Sequence, residues 1–325
     1  MKVSVIVPVY KVEQFIEKCA RSLFEQTLRE VEFIFVDDAS PDNSIELLRT
    51  CIDCYPDRKE CIRILTHEKN KGLPAARNTG LEAATGEYIF HCDSDDFVET
   101  DMLETLYETA KRKDADIVWC DWYLSFGHNE RYMKQPGYDT PMEALKAMLA
   151  GLMKFNVWNK LVRRRLYTEH QIHFPAGYGM GEDMTMMLLF AVAQKVAYIP
   201  QAFYHYVKLN TEAFTQTFST IDFEALKHNV SVVERALQKR FGSQLDLEIA
   251  CLKLEVKFIF LQSGKKSKYE LWTETYPEAN AYIWRNHYIS KRRRWVQWCA
   301  SKQLWGLVRL HYLIINKLIY GLIYR

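Results

Sequence analysis

Much that is common in nucleotide-binding proteins is missing from this 325-residue sequence. No Gly-x-x-x-x-Gly-Lys-Ser/Thr run occurs, which excludes the phosphate loop of the commonest nucleotide hydrolases. The first apolar run leads into Pro8-Val9-Tyr10 rather than a glycine-rich turn. The pyrophosphate cradle of dinucleotide oxidoreductases is therefore absent as well. No apolar run is long enough to span a bilayer, because Arg309 and Lys317 interrupt the C-terminal stretches. The eight cysteines are scattered, and Cys51-x-x-Cys54 has no second pair or His set at zinc spacing, so reduced thiols are expected. Acid is missing from one end. Residues 279–325 hold nine Lys/Arg, four of the eight tryptophans and no Asp or Glu. With a formal charge of +2 overall, residues 1–278 are left near −7 by subtraction.

What is present begins with an alternation of apolar runs. Residues 3–9 form a β-branched run, too apolar for a surface strand and suited to one buried on both faces. Lys11 and Glu13 follow at once, so the run reads as a strand and not a leader, and a cytoplasmic location is expected. Val12, Phe15, Ile16, Cys19, Ala20, Leu23 and Phe24 recur at helical spacing and form one apolar face. A second strand over 31–36 closes on Asp37-Asp38-Ala39-Ser40-Pro41, where Ser40 can cap a helix and Pro41 suits its first turn. Strands over 62–65 and 88–92 flank a helix from Pro74 to Ala83. This rhythm predicts an α/β fold with a Rossmann-like, mostly parallel sheet flanked by helices.

Beyond Asp101 the rhythm loosens. A helix carries Leu103, Leu106, Tyr107 and Ala110, a strand covers 117–124, and Thr140-Pro141 opens another helix. A loop-rich stretch carries 156–161 and 174–181, before a helix over 182–196 and a strand over 198–206. From Ile221 onward the pattern is helical only. The expected domains are 1–218, in halves 1–98 and 99–218, and a helical C-terminal region 219–325.

In open α/β sheets, ligands bind beyond the carboxyl ends of the strands. There fall Tyr10, Asp37-Asp38, the loop before Arg77-Asn78, and Asp93-Ser94-Asp95-Asp96. Two carboxylates one residue apart, just past a buried strand, can aim at one hard cation such as Mg²⁺ or Mn²⁺. Such a cation can bridge the phosphates of a departing nucleotide diphosphate. The same residues also suit a solvated turn that caps the helix near Thr100.

Four ordered motifs narrow the choice: Val-Ser-Val-Ile-Val-Pro-Val-Tyr10, Phe35-Val-Asp-Asp-Ala-Ser-Pro-Asp-Asn-Ser44, Asn70-Lys71-Gly72 with Ala76-Arg77-Asn78, and Tyr88-Ile-Phe-His-Cys-Asp-Ser-Asp-Asp96. They resemble the inverting family-2 glycosyltransferases of GT-A fold. The resemblance continues through Val157-Trp158-Asn159-Lys160-Leu161, Ile172-His173-Phe174 and Gly181-Glu182-Asp183, roughly the first two-thirds of the chain. It implies transfer of a single sugar from a UDP-sugar to an acceptor hydroxyl with inversion, assisted by Mg²⁺ or Mn²⁺, in bacterial capsule, exopolysaccharide or lipopolysaccharide synthesis. Residues 1–98 would be the donor half and 99–218 the acceptor half.

By the same resemblance, Pro8 and Tyr10 would line the nucleotide base, Asp38 would accept a hydrogen bond from it, and Asp37 would lie beside it. Arg77 and Asn78 would complete the donor pocket. Asp95 would be the principal metal ligand, with Asp93 nearer the ribose and Ser94 between them. Asp183 would be the general base, next to Glu182 on the acceptor side. A helix start at Asp183 would lower its pKa, although acids are favoured in the first turn of any helix. Trp158 would stack on the acceptor sugar or fill the core, with Lys160 beside it. His205 would lie near the diphosphate or serve as a structural histidine. The glycines at 177, 179 and 181 would let the acceptor loop close.

Lys291-Arg-Arg-Arg294-Trp295 resembles the Gln-x-x-Arg-Trp element of processive synthases, but Lys stands where Gln belongs and the run lies far beyond Asp183. Single addition is therefore expected. The basic, Trp-rich tail suits peripheral contact of residues 281–325 with the inner face of a cytoplasmic membrane, where a lipid-linked saccharide acceptor can be presented. Alternatively its apolar face packs on the catalytic domain or on a second copy, as a homodimer. Nucleic acid is not an expected partner. Two other classes remain as alternatives. A sugar nucleotidyltransferase-like enzyme needs a Lys/Arg-rich loop after the first strand, and none is there. A non-catalytic nucleotide-sugar-binding subunit would betray itself by loss of the acidic ligand or base, and both are present.

Overall fold

The computed structural model describes residues 1–127, 129–209, 220–262 and 265–315. They pack as two compact units, Met1–Leu145 with Lys154–Val233, and Lys146–Met153 with Glu234–Arg325. The expected boundary at 218/219 lies outside the described residues.

In the first unit, strands β1 (Val3–Val9), β2 (Val31–Asp37), β3 (Ile62–Thr66) and β4 (Tyr88–His91) alternate with helices α1 (Ile16–Phe24), α2 (Ser44–Asp53) and α3 (Leu73–Ala83). There follow β5 (Phe97–Val98), α4 (Met102–Lys113), β6 (Ile117–Ser125), β7 (Glu130–Met133), α5 (Pro141–Leu149), β8 (Lys160–Arg163), α6 (Arg165–Glu169), α7 (Thr185–Val192), β9 (Val196–Val207) and α8 (Thr220–Phe241), of which α5 and α8 each run on into the second unit's residues. The sheet order is β3-β2-β1-β4-β8-β6-β9-β5, with β7 paired to β6. Strands β3, β2, β1 and β4 are parallel, whereas β8 enters antiparallel between β4 and β6. The sheet is thus parallel in its first half and mixed beyond.

Every residue of β1 and β2 is buried; their runs are apolar apart from Ser4 and Glu32, where the Ser4 hydroxyl donates to Glu32 Oε1 at 2.6 Å, and Asp37 at the carboxyl end of β2. The stripe of α1 buries Ile16, Cys19, Ala20, Leu23 and Phe24. Phe24 meets Phe33 and Phe35 edge-on at 5.4 and 6.0 Å, contacts worth about 0.5–1.5 kcal/mol each beyond area burial. On the other face, a Cβ at Gly80 of α3 would fall 2.4 Å from Ile6 Cγ2, so the helix approaches β1 this closely only as glycine.

Local expectations differ from the structure in three places. Ser40 does not cap a helix. Its hydroxyl donates to Asp42 Oδ1 (2.6 Å) and accepts the Lys11 N–H (2.8 Å), and α2 begins later, at Ser44. The stretch around 156–161 is not all loop, because Lys160–Arg163 forms β8. The single helix expected over 182–196 is a 3₁₀ turn at Glu182–Met184, then α7, with β9 already starting at Val196.

The second unit is helical, with α9 (Asp246–Phe258), α10 (Lys266–Glu274), α11 (Lys291–Ser301) and α12 (Trp305–Tyr312). At its centre the Lys257 ammonium donates to the carbonyls of Thr275 and Tyr276 and to Asn280 Oδ1 at 2.7–3.0 Å, over the Trp272 ring. The basic tail is not wholly unopposed, since Arg293 pairs with Glu255 at 2.7 Å. Trp305 stacks on Tyr269, while Trp284, Trp295, Leu304, Leu307, Leu310 and Ile314 stay exposed. Residues 316–325 lie outside the described residues. No described helix is long and apolar enough to cross a membrane.

Candidate active site

The carboxyl ends of the parallel strands gather the residues expected there. Pro8 is buried within β1, whereas Tyr10, just past its end, is 41% exposed. Both flanking turns carry left-handed non-glycine residues, Lys11 (φ 52°) and Ala39 (φ 56°). Such backbone costs roughly 1–3 kcal/mol per residue and persists where surrounding structure enforces it. Here the enforcement is visible: Asp37 Oδ1 accepts the Ser40 N–H, and Ser40 in turn accepts from Lys11.

Asp38 is only 3% exposed. Its Oδ1 accepts from Lys71 N–H (2.8 Å) and His67 Nδ1 (2.6 Å), and its Oδ2 from Gly72 N–H (2.8 Å). A carboxylate has about four acceptor positions, so three are spent on the turn that leads into α3 and one remains. The primary role of Asp38 is to latch that turn. His67, which nothing in the sequence singled out, is fixed from its other side by the Thr79 hydroxyl (2.9 Å).

From that turn α3 carries Arg77, a guanidinium only 1% exposed. Its Nη2 donates to Asp93 Oδ1 at 2.8 Å and stands 4.0 Å from Glu182 Oε1. Asp183 also acts on it electrostatically. One buried cation therefore joins the acidic turn after β4 to the acidic turn before α7. Asn78, expected in the donor pocket, has both ends of its amide committed elsewhere. It donates to Phe174 O and accepts from Phe174 N–H, each at 2.8 Å. It is a clamp for the loop that follows Phe174.

The turn after β4 is held by Tyr204 of β9. Its hydroxyl accepts the Asp93 N–H (3.1 Å) and donates to Asp96 Oδ2 (2.7 Å), whose Oδ1 accepts the Val207 N–H. Burial, with Asp95 and Asp93 nearby, pushes the Asp96 carboxyl well up. Asp93 and Asp95 are half-buried and Ser94 between them is buried. Among the described residues no three His, Cys, Asp or Glu side chains form a metal cage. Two carboxylates fit a hard cation of the kind that takes its other ligands from substrate phosphate and water.

Asp183 follows Gly181 in a 3₁₀ turn, not at the start of a helix. Its pKa is not lowered as expected. Burial drives it up to about 6, opposed by Arg77 and Lys160 and assisted by Asp93. Desolvation outweighs the neighbouring cations. Its Oδ1 accepts no hydrogen bond from the protein. Burial and the adjacent Asp183 push the Glu182 carboxyl well above its usual range.

Three acceptor candidates take other roles. Trp158 is 6% exposed and lies flat against Tyr204 and Tyr206, at 4.5 and 5.5 Å, with Trp122 edge-on. It is core, because three aromatic rings already cover it. Lys160 is fully buried, its ammonium donating to Lys154 O, Asn156 O and Asn159 Oδ1 at 2.6–3.0 Å. Burial lowers its pKa to about 7 while Asp183 pulls upward. It acts on the site through charge. His205 has both ring nitrogens on carboxylates, Glu130 at 2.7 Å and Glu99 at 2.9 Å, and stacks between Phe97 and Tyr123. No nitrogen is left for a diphosphate.

An open α/β sheet with acidic turns beyond β2 and β4, on either side of β1, is the arrangement expected of a GT-A-type transferase. Residues 4–181 match glycosyl transferase family 2, and the chain belongs to that family. It is 29% identical to the glycosyltransferase GlyG of Streptococcus pneumoniae serotype 4, over 82% of this chain and 89% of GlyG. It is 35% identical to the uncharacterized glycosyltransferase EpsJ of Bacillus subtilis, over 63% of this chain and 60% of EpsJ. The fold matches S. aureus TarS residues 1–349, solved with UDP-GlcNAc, at a TM-score of 0.72 and 18% identity, covering 98% of this chain and 92% of that one. The mannosyltransferase PcManGT from Pyrobaculum calidifontis, solved with GDP-Man and Mn²⁺, matches at 0.53 and 17%, covering 96% and 87%.

Proposed function

We propose that this glycosyltransferase moves one sugar from a UDP-sugar to an acceptor hydroxyl with inversion, using Asp183 as general base. The observation that carries the reading is Arg77, which ties Asp93 after β4 to Glu182 and Asp183 before α7. That link supports a site in which donor and acceptor chemistry share one buried charge. Tyr10 stacks on the base, and the remaining acceptor position of Asp38 takes a base N–H. The UDP-GlcNAc-bound TarS of similar fold supports a uridine nucleotide.

Asp183 takes the hydroxyl proton as the acceptor oxygen bonds to the anomeric carbon and the bond to the diphosphate oxygen breaks on the opposite face. A carboxyl with a pKa of about 6 is well matched to that proton near neutral pH. Asp95 and Asp93 would hold a divalent cation, which supplies charge neutralisation to the leaving diphosphate. Calorimetry of UDP with Mn²⁺ or Mg²⁺ and with EDTA tests the donor side. Affinity is expected to collapse with EDTA and in Asp95→Ala; equal affinity in all conditions overturns the cation role.

The exposed Trp284, Trp295, Leu307 and Leu310, beside the tail's Lys/Arg residues, support peripheral contact with an anionic membrane and a lipid-linked acceptor of surface-polysaccharide synthesis. Binding to anionic but not neutral liposomes, weakened by salt, is the expected result. A homodimer through the same tail is the outcome that replaces it.

A further inference from the structure

Transfer to a sugar hydroxyl needs a surface that holds the acceptor ring beside Asp183, and Trp158 is buried away from that task. We propose that Tyr178 is this surface, an aromatic platform for an acceptor pyranose, held in position by His228 and Asn229 of α8. The inference rests on Asp183 being the base.

The loop over 174–183 is fixed at several points. Asn78 clamps Phe174 at one end, and Glu182 stands 4.0 Å from Arg77 at the other. Between them, Asn229 Nδ2 donates to the carbonyls of Tyr178 (3.1 Å) and Met180 (2.9 Å). Gly181 has φ +83°, and a Cβ there would fall 2.8 Å from Leu226 Cδ1, so the turn before Glu182 lies close on α8. The Tyr178 ring lies flat on the His228 imidazole, with centroids 3.6 Å apart and 3° between planes. One face is therefore covered, yet the residue is 40% exposed. With the imidazole on one face, the opposite face is the one a sugar would use.

A pyranose presents an apolar face of axial C–H groups that packs on such a ring, and a phenol edge offers a partner for a sugar hydroxyl. Because the backbone tie and the stacked imidazole order the ring in advance, little conformational freedom is lost when a sugar arrives. Tyr178 is five positions before Asp183 on this anchored loop, at most about 18 Å of chain even if fully extended, so a saccharide held on Tyr178 can extend to the base. His228 and Asn229 act through Tyr178 and are positioning residues.

Saturation-transfer NMR on the full chain with UDP and Mg²⁺, using maltose, cellobiose and lactose as probes, tests the platform. Wild type and Tyr178→Phe are expected to saturate the axial protons of at least one disaccharide. Tyr178→Ala is expected to lose about tenfold in affinity, and His228→Ala, which keeps the ring but removes its backing, severalfold. Equal saturation in Tyr178→Ala, or no disaccharide bound by wild type, overturns the proposal. UDP affinity measured on the same samples is expected to stay at the wild-type value. Failure of the base assignment reads out separately, as UDP-sugar turnover surviving in Asp183→Asn.

Discussion

Two carboxylate clusters stand at the same end of one sheet and are built in opposite ways. Around Asp38, three hydrogen bonds fill most of the acceptor positions, and the partner His67 is itself bonded on its far side. Around Arg77, three acids share one guanidinium, yet Arg77 Nε and Nη1, Asp183 Oδ1 and both nitrogens of the nearby His91 have no hydrogen-bond partner. Buried polar groups are normally satisfied, and a cluster of exceptions calls for an explanation such as a catalytic role or a bound water. The first cluster spends its charge on holding a turn. The second leaves polar capacity unspent, as the proposed substrate role requires.

The contrast is tested most severely at Asp183. Asp183→Asn preserves shape and removes the proton acceptor, so kcat is expected to fall about 10²–10⁴-fold with UDP affinity intact. Near-wild-type turnover in a UDP-release assay breaks the contrast. Asp38→Ala addresses the other side. Two backbone N–H groups and an imidazole lose a charged acceptor, and the cost is expected to be about 3 kcal/mol. It is read as a lower urea midpoint at unchanged slope. A mutant as stable as wild type would mean that the Asp38 cluster is not structural.

The smallest effect is in pH. With Asp183 at about 6, kcat/KM is expected to rise about tenfold per unit below that value and level off above it. The stability sign is opposite. A carboxyl whose pKa is raised on folding stabilises below its unfolded value of about 4, and that contribution is lost as pH rises through the folded value. Asp183→Asn should therefore melt higher than wild type above pH 6 and not below pH 4. A melting temperature that falls at neutral pH would place Asp183 among the structural acids.

Strands β1 to β4, and the acidic turns after β2 and β4, were legible in the sequence because their cause is local. Short runs dominated by apolar residues, spaced by amphipathic helices, make parallel strands, and the residues just past them must stand at the carboxyl ends. Strand β8 was not legible, since four residues, Lys160–Arg163, gain strand character only from β4 and β6 on either side. Asn78 illustrates the same limit. Its motif is readable, but its clamp on Phe174 joins positions 96 apart in the chain.

By itself, the sequence determined the family, the α/β half and the set of acidic residues from which a site could be built, because motif order and strand-end position are properties of the chain. Tertiary structure alone decided which of them stay structural. Burial raised the pKa of Asp183 where a helix start would have lowered it. Aromatic contacts made Trp158 part of the core. Paired glutamates closed both nitrogens of His205. Each outcome depends on neighbours distant in sequence, and desolvation and hydrogen-bond satisfaction exist only once those neighbours have met.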